Sequence, residues 1–207
     1  MVMKNNFLIF ASLWVSLVFI SCGADSSEKA DSENVLEKEG MNQSHEVYKE
    51  FLANIRKLCG NTYLGEPVYP IDDPEHPFYN QPILLSFSIC EEDMVFMPLQ
   101  VGENTSRTWQ LTLTEEGLLL KHDHRHEDGT HEDLSMYGGF ATGGGTALSQ
   151  FFPADNETAE MLPEASTNVW NMVIHPDEGI FEYILHRHGN LRFHAVIDIS
   201  EPVEQMN

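Results

Sequence analysis

Positive charge is scarce in this sequence. Its 207 residues carry 11 Lys and Arg against 33 Asp and Glu, a formal net charge of −22. DNA, RNA and anionic lipid headgroups repel such a chain, because binding to them runs on Lys and Arg that displace counterions. Nucleic acid is therefore excluded as a partner, and membrane attachment has to come from acyl chains, not from a basic patch. There is no GxSxG elbow, no phosphate-binding glycine loop ahead of a helix, and no Ser, His and Asp arrangement that sequence alone assembles. None of these features argues for an enzyme.

Long apolar runs are also rare, and the one present stands first. Lys4 is followed by an uncharged apolar stretch from Phe7 to Ile20 and then by Ser21-Cys22-Gly23. Basic, apolar and small-residue regions in that order predict a secretion signal over residues 1–21. As a helix the run covers about 21 Å of a hydrocarbon core about 30 Å thick, too short for a permanent span. Phe19-Ile20-Ser21-Cys22 resembles the bacterial lipobox, in which a small residue precedes the cysteine that receives diacylglycerol. The resemblance implies lipidation of Cys22 and anchoring to the bilayer of a bacterial cell envelope. The outer membrane is the expected location, with the periplasmic and surface faces both open. Lys4 is the only charge in residues 1–21, so its removal takes the net charge from −22 to −23.

With Cys22 acylated, Cys59 and Cys90 remain, and an oxidising compartment favours their pairing. Residues 22–43 are Ser, Asp, Glu and Lys with almost no large apolar side chain, which predicts an acidic disordered tether. Ser44 then offers an N-cap, and Val47, Phe51, Leu52, Ile55 and Leu58 recur at helical spacing, with Gly60 as the stop. One amphipathic helix is expected there, at the head of a domain over residues 44–203, with 204–207 as a tail.

Beyond that helix the pattern is strand after strand: 62–69, 83–90, 94–99, 108–114, 118–127, 130–137, 147–152, 169–175, 180–186 and 191–199. Trp109, Leu111 and Leu113 alternate with Thr108, Gln110, Thr112 and Thr114, as in a half-buried antiparallel strand. Glu115-Glu116-Gly117, Asp128-Gly129, 176–179 and Gly189-Asn190 are turns that join neighbours directly. The fold class is all-β: a single antiparallel barrel of about eight to ten strands, which removes exposed edges, with a two-layer sandwich as the other solution. The segment Cys59-Gly60-Asn61-Thr62-Tyr63-Leu64-Gly65-Glu66 resembles the opening of lipocalin-type barrels and favours the barrel.

The densest chemistry lies in KHDHRHEDGTHED, residues 121–133. Strand alternation puts Leu118, Leu120, His122, His124 and His126 on one face, and Lys121, Asp123, Arg125 and Glu127 on the other. A two-residue Asp128-Gly129 turn would pair His126 with His131, Arg125 with Glu132 and His124 with Asp133. His122, His124, His126, His131 and Asp133 would then converge, a donor set suited to zinc or another first-row transition metal. A solvated polar hairpin fits the same residues. Gly117 ahead of His122-Asp123-His124, followed by Asp128, resembles part of the first cupin motif, though its spacing is one residue short and the second motif is missing. That resemblance implies a metal-dependent enzyme as an alternative.

Arg107 falls two residues before Trp109, placing an Arg on a Trp at a barrel end. Core packing is the default role of Trp109 and Trp170, and His186, His188 and His194 fall on the outward face. SRTWQLTLTEEGLLLKHDHRHEDG, with Tyr137-Gly138-Gly139 and Phe152-Pro153-Ala154-Asp155, resembles a set of uncharacterised secreted bacterial proteins over about residues 58–203. It implies export and a shared domain, with no activity attached. The expectation is a membrane-anchored lipoprotein whose barrel binds a metal ion or small ligand at the histidine hairpin. A metal-dependent enzyme and a protein interaction module without a small ligand are the alternatives.

Overall fold

A computed structural model describes residues 26–69 and 74–203. The expected signal segment, the expected acylation site Cys22 and the expected tail 204–207 lie outside them. The chain divides into two compact units, residues 1–37 and residues 38–207. No helix among the described residues is long and apolar enough to cross a membrane.

Helix α1 runs Ser26–Arg56, so Ser44 lies inside it and is not its cap. The backbone of 26–43, assigned to a tether on composition, is helical. The residues ahead of Ser44 are mostly good helix formers with no proline among them, and adding a turn to an existing helix is far easier than nucleating one. From Phe51 onward the periodicity read from sequence is the packing: Phe51, Leu52, Ile55 and Leu58 are buried in the core, whereas ahead of them Tyr48 is buried and the expected Val47 is only half-buried. Polar contacts set this end of α1 against one mouth of the sheet. His45 bonds the Thr114 carbonyl at 2.9 Å, the Tyr48 hydroxyl donates to the Ala141 carbonyl at 3.2 Å, and Asn54 donates to Ala147 at 2.9 Å. The Cys59–Cys90 disulfide, with Cα atoms 6.2 Å apart, ties the chain just after the helix to the sheet.

The strands are β1 (Thr62–Tyr69), β2 (Ile83–Ser86), β3 (Ser88–Cys90), β4 (Met94–Val101), β5 (Asn104–Thr114), β6 (Gly117–His124), β7 (Tyr137–Phe140), β8 (Ser149–Pro153), β9 (Val169–His175), β10 (Ile180–Arg187) and β11 (Asn190–Asp198). All pairings are antiparallel. Ten of the strands follow the order β7-β6-β5-β4-β2-β1-β11-β10-β9-β8, with β3 paired to β4 off that path. The result is a near-closed ten-strand barrel. Alternation supplies its interior: Val95, Met97, Leu99 and Val101 from β4, Leu118 and Leu120 from β6, Phe181 and Tyr183 from β10, Phe193, Ala195 and Ile197 from β11.

The two end strands, β7 and β8, meet at a seam where a side chain has no room. A Cβ on Gly139 would collide with the Pro153 carbonyl oxygen, and one on Gly138 with the Leu120 carbonyl. The short helix α2 (Asn156–Met161), which no periodicity announces, is capped by Asp155, whose side chain accepts from Thr158 N. It stitches the seam: the Thr158 hydroxyl donates to the Gly138 carbonyl at 2.9 Å and accepts from Gly138 N at 2.7 Å, while Asp155 N donates to Gly138 O at 2.9 Å. Lys121 braces α2 from β6 through Asp155 and Glu157, each at 2.9 Å. Burial works against the Lys121 charge, but the two carboxylates outweigh it and raise its pKa.

One expected strand is absent. Residues 130–137 contribute only an isolated bridge, Arg125 to His131, and β7 begins at Tyr137, where the expected strand ends.

Candidate functional site

The mouth away from α1 holds a cavity of about 400 Å³. Its position follows from strand direction: β5 and β6 meet α1 at Thr114 and Gly117, and Arg107 and His124, which pair at the far end of the same ladder, line the cavity. Aromatic rings form much of the wall. Trp109 stacks on Tyr183 at 4.0 Å, and His122 lies against Tyr137 at 4.7 Å and Trp170 at 4.8 Å. Phe78 and Phe193 extend the wall, 4.8 Å apart. Trp109 and Trp170 thus serve as core and as lining together.

His122 is the fixed centre. It is 2% exposed, on the same inward row as Leu118 and Leu120, as alternation predicts. Its Nδ1 is 3.1 Å from the Tyr137 carbonyl, which can only accept, so Nδ1 carries the proton. Its Nε2 then accepts from the Tyr183 hydroxyl at 2.7 Å. Both ring nitrogens are satisfied in the neutral form. Burial drives the pKa of this imidazole down to about 3. Burial also raises the Tyr137 hydroxyl to about 12 and the Tyr183 hydroxyl well above its ordinary value. His124, nearer the opening, shares a hydrogen bond with the Tyr137 hydroxyl at 3.2 Å and lies 3.7 Å from Glu132. Its pKa is lowered, by burial first and the Arg107 charge second.

The five residues expected to converge do not share a face. Asp128 is not in the left-handed conformation that a type I′ turn requires of it, and Gly129 alone is, at φ 83°. Instead the Asp128 carboxylate accepts from Thr130 N at 2.9 Å and from the Thr130 hydroxyl, a local side-chain turn that competes with the two-residue hairpin. His126 N donates to Thr130 O, Arg125 faces His131, and Glu132 N donates to His124 O. The register is one residue off the expected pairing, and a one-residue slip moves a side chain to the opposite surface. Glu132 therefore joins His124 at the cavity, and His131 joins Asp123 outside it. His126 and Asp133 are exposed. Among the described residues no group of three or more His, Cys, Asp or Glu is arranged to hold a metal ion.

Outside the wall, the node that sequence reasoning missed is Asp123, 3% exposed. Its carboxylate accepts from Gln110 at 2.9 Å, Arg125 Nε at 2.8 Å and Ser135 at 3.1 Å, with His131 Nδ1 2.9 Å away. The Ser135 hydroxyl in turn accepts from His124 N at 2.8 Å. This network pins the hairpin to the barrel and sets where His124 and Glu132 stand. No family model matches the chain, and no curated protein or solved structure matches it. The near-closed ten-strand antiparallel barrel is the extent of what the likeness to lipocalin-type barrels has in support.

Three further residues at the cavity come from distant parts of the sequence. Arg107 lies over Phe78, 5.4 Å from its ring centroid, and not on Trp109 as expected. Arg187 donates from Nε to Asn168 at 2.8 Å. Arg192 reaches the cavity from a break in the ladder: Leu185 pairs with Phe193 and His186 with Leu191, leaving Arg192 without an opposite. Such bulges re-aim side chains beside sites. A larger cleft of about 610 Å³ lies along β1 and the residues 78–82, but its charged lining residues, Glu66 and Asp198, are both acidic.

Proposed function

We propose that this protein is a binding protein, which holds a small ligand in the aromatic cavity at the open mouth of its barrel. The observation that carries this is the cavity itself: about 400 Å³, walled by Trp109, Trp170, Tyr137 and Tyr183. Ligand sites are concave, largely apolar and of this order of size, with a few placed polar groups that fix orientation. The polar groups of the wall are paired without a ligand, His122 with the Tyr137 carbonyl and the Tyr183 hydroxyl, and the Tyr137 hydroxyl with His124, so little ordering opposes binding. Export and a lipid anchor at Cys22, as the lipobox-like segment implies, would present the barrel at a bacterial envelope. The binding function does not depend on that placement.

Intrinsic fluorescence tests the proposal, since two of the three tryptophans, Trp109 and Trp170, line the cavity. Titration of the purified protein with a library of small ring-bearing compounds should quench or shift this emission saturably. Leu185→Trp, which fills the cavity from β10, should abolish the response while leaving the far-ultraviolet circular dichroism unchanged. Saturable binding that survives Leu185→Trp would place the ligand elsewhere and defeat the proposal.

A further inference from the structure

Charge at the cavity runs against the charge of the chain. Of the five arginines in the sequence, three, Arg107, Arg187 and Arg192, line this one opening. With 33 acidic residues in the chain, a cation with no other task is expected to find a carboxylate. The other cations near the site do: Lys121 meets Asp155 and Glu157, and Arg125 meets Asp123. None of the three cavity arginines forms an ion pair among the described residues. Arg107 is held by Asn104 at 3.0 Å and Arg187 by Asn168 at 2.8 Å, both neutral amides that orient a guanidinium without neutralising it. Arg192 stands where the ladder is interrupted and has neither ion pair nor side-chain hydrogen bond among the described residues. The carboxylate that shares the cavity, Glu132, sits against His124, on the hairpin that follows β6, whereas Arg187 and Arg192 come from β10 and β11.

Holding three like charges around one opening is unfavourable unless something negative enters it. Guanidinium groups present paired N–H donors that match the two oxygens of a carboxylate or other oxyanion. Below them the wall is aromatic and carries no unpaired donor in the His122, Tyr137 and Tyr183 set. We infer that the ligand is a small organic anion: an oxyanion group, typified by a carboxylate, held by Arg187 and Arg192 with Arg107 beside it, and a flat apolar body seated against Trp109, Tyr183 and Trp170. This rests on the binding function proposed above and adds the chemical class of the ligand. The acidic surface repels every anion on approach, so only those whose apolar body also contacts the aromatic wall are retained.

A pair of probes with one shape and two charges separates the parts. Isothermal titration of the purified protein with 2-naphthoate and with the neutral 2-naphthamide should give at least about tenfold tighter binding for the acid, the scale of one hydrogen-bonded charge. Added salt should narrow the difference. Arg187→Gln with Arg192→Gln should erase the preference and leave naphthamide affinity as it was, and the retained naphthamide binding shows that the variant is folded. Equal affinity of the two probes, or an acid preference that persists in the double variant, overturns the anion assignment and leaves the cavity proposal standing. If neither probe binds, the cavity proposal is contradicted and this inference falls with it.

Discussion

His122 makes the stability of this barrel depend on pH in a calculable way. An imidazole free in an unfolded chain titrates near its ordinary value, about 6.5. In the folded barrel the ring is buried between Tyr137 and Trp170, and its pKa falls to about 3. Between those two values the unfolded state holds a proton that the folded state excludes. Stability from this group is therefore complete above about pH 6.5, falls as pH is lowered, and is lost once the folded-state value is passed. The slope approaches 1.4 kcal/mol per pH unit, and from pH 7 to pH 4 the loss sums to roughly 3 kcal/mol. That is a large part of the 5–15 kcal/mol that typically stabilises a domain. Protonation also removes an interaction: Nε2 accepts from Tyr183 at 2.7 Å only while neutral.

Acid has other effects on so acidic a chain, and neutralising carboxylates relieves self-repulsion. The measurement is consequently a difference. His122→Gln keeps a donor for the Tyr137 carbonyl and an acceptor for the Tyr183 hydroxyl but does not titrate. Urea unfolding of both proteins at pH 7 and pH 4 should show the wild type losing about 3 kcal/mol more than the variant. Superimposable pH dependences, or a His122 ring that titrates near 6.5 in nuclear magnetic resonance spectra of the folded protein, would refute the buried neutral imidazole.

Thr158→Val removes the hydroxyl that both donates to and accepts from Gly138, stranding the buried Gly138 N–H while the Gly138 carbonyl keeps Asp155 N; a loss of about 1–3 kcal/mol in chemical denaturation is expected, and an unchanged midpoint would mean that α2 does not hold the barrel shut. Gly139→Ala places a methyl against the Pro153 carbonyl, so β7 and β8 must part, and faster amide hydrogen exchange localised to those strands is the readout. Cys59→Ser with Cys90→Ser opens the loop closed by the disulfide and should lower stability by about 2–4 kcal/mol; a reduced protein of equal stability contradicts this. Cys22→Ser should move the protein from the membrane fraction to the soluble fraction and abolish labelling by a fatty-acid analogue, and persistent membrane association would dismiss the anchor. For metal, the split of His122, His124 and Glu132 from Asp123 and His131 predicts no stoichiometric zinc at the hairpin; zinc retained through gel filtration and lost on His124→Ala would show that the hairpin rearranges to bind it.

Most of the barrel was legible because strand alternation is a local signal. The expected 62–69 and 169–175 are β1 and β9 to the residue, and the inward row Leu118, Leu120 and His122 follows from parity alone. Where alternation was asked to cross a turn, it failed. Asp128-Gly129 permits a type I′ reversal, but the Asp128 carboxylate reaches Thr130 first, and the choice between these turns depends on contacts outside the segment. His131 to Asp123 and Ser135 to Asp123 are two such contacts, and both cross the turn and favour the observed register. Residues 130–137 suffer the same error, since a strand there required the expected pairing. Helix α1 was legible where it packs and not where it begins, because the packed face carries a period and the preceding helical backbone has no comparable stop or start signal.

The arginines show the other limit. Arg187 continues the inward row of Phe181, Tyr183 and Leu185, and Arg107 that of Trp109 and Leu111, so parity alone assigns both to the interior of the mouth. Arg192 has the wrong parity and is brought to the cavity only by the irregular pairing of β10 with β11. Histidine density marks the one hairpin where ligating residues are close in sequence, and that hairpin divides its side chains between two surfaces. The residues that give the cavity its charge are separated by up to 85 positions, from Arg107 to Arg192, and are joined by barrel closure. The seam at Gly138 and Gly139 is therefore part of the site as well as of the fold: it positions Tyr137 against His122 and His124, and a barrel that opened there would lose one wall of the cavity. Ligand affinity and seam stability should accordingly fall together in Thr158→Val, whereas the Arg187 and Arg192 substitutions should change affinity alone.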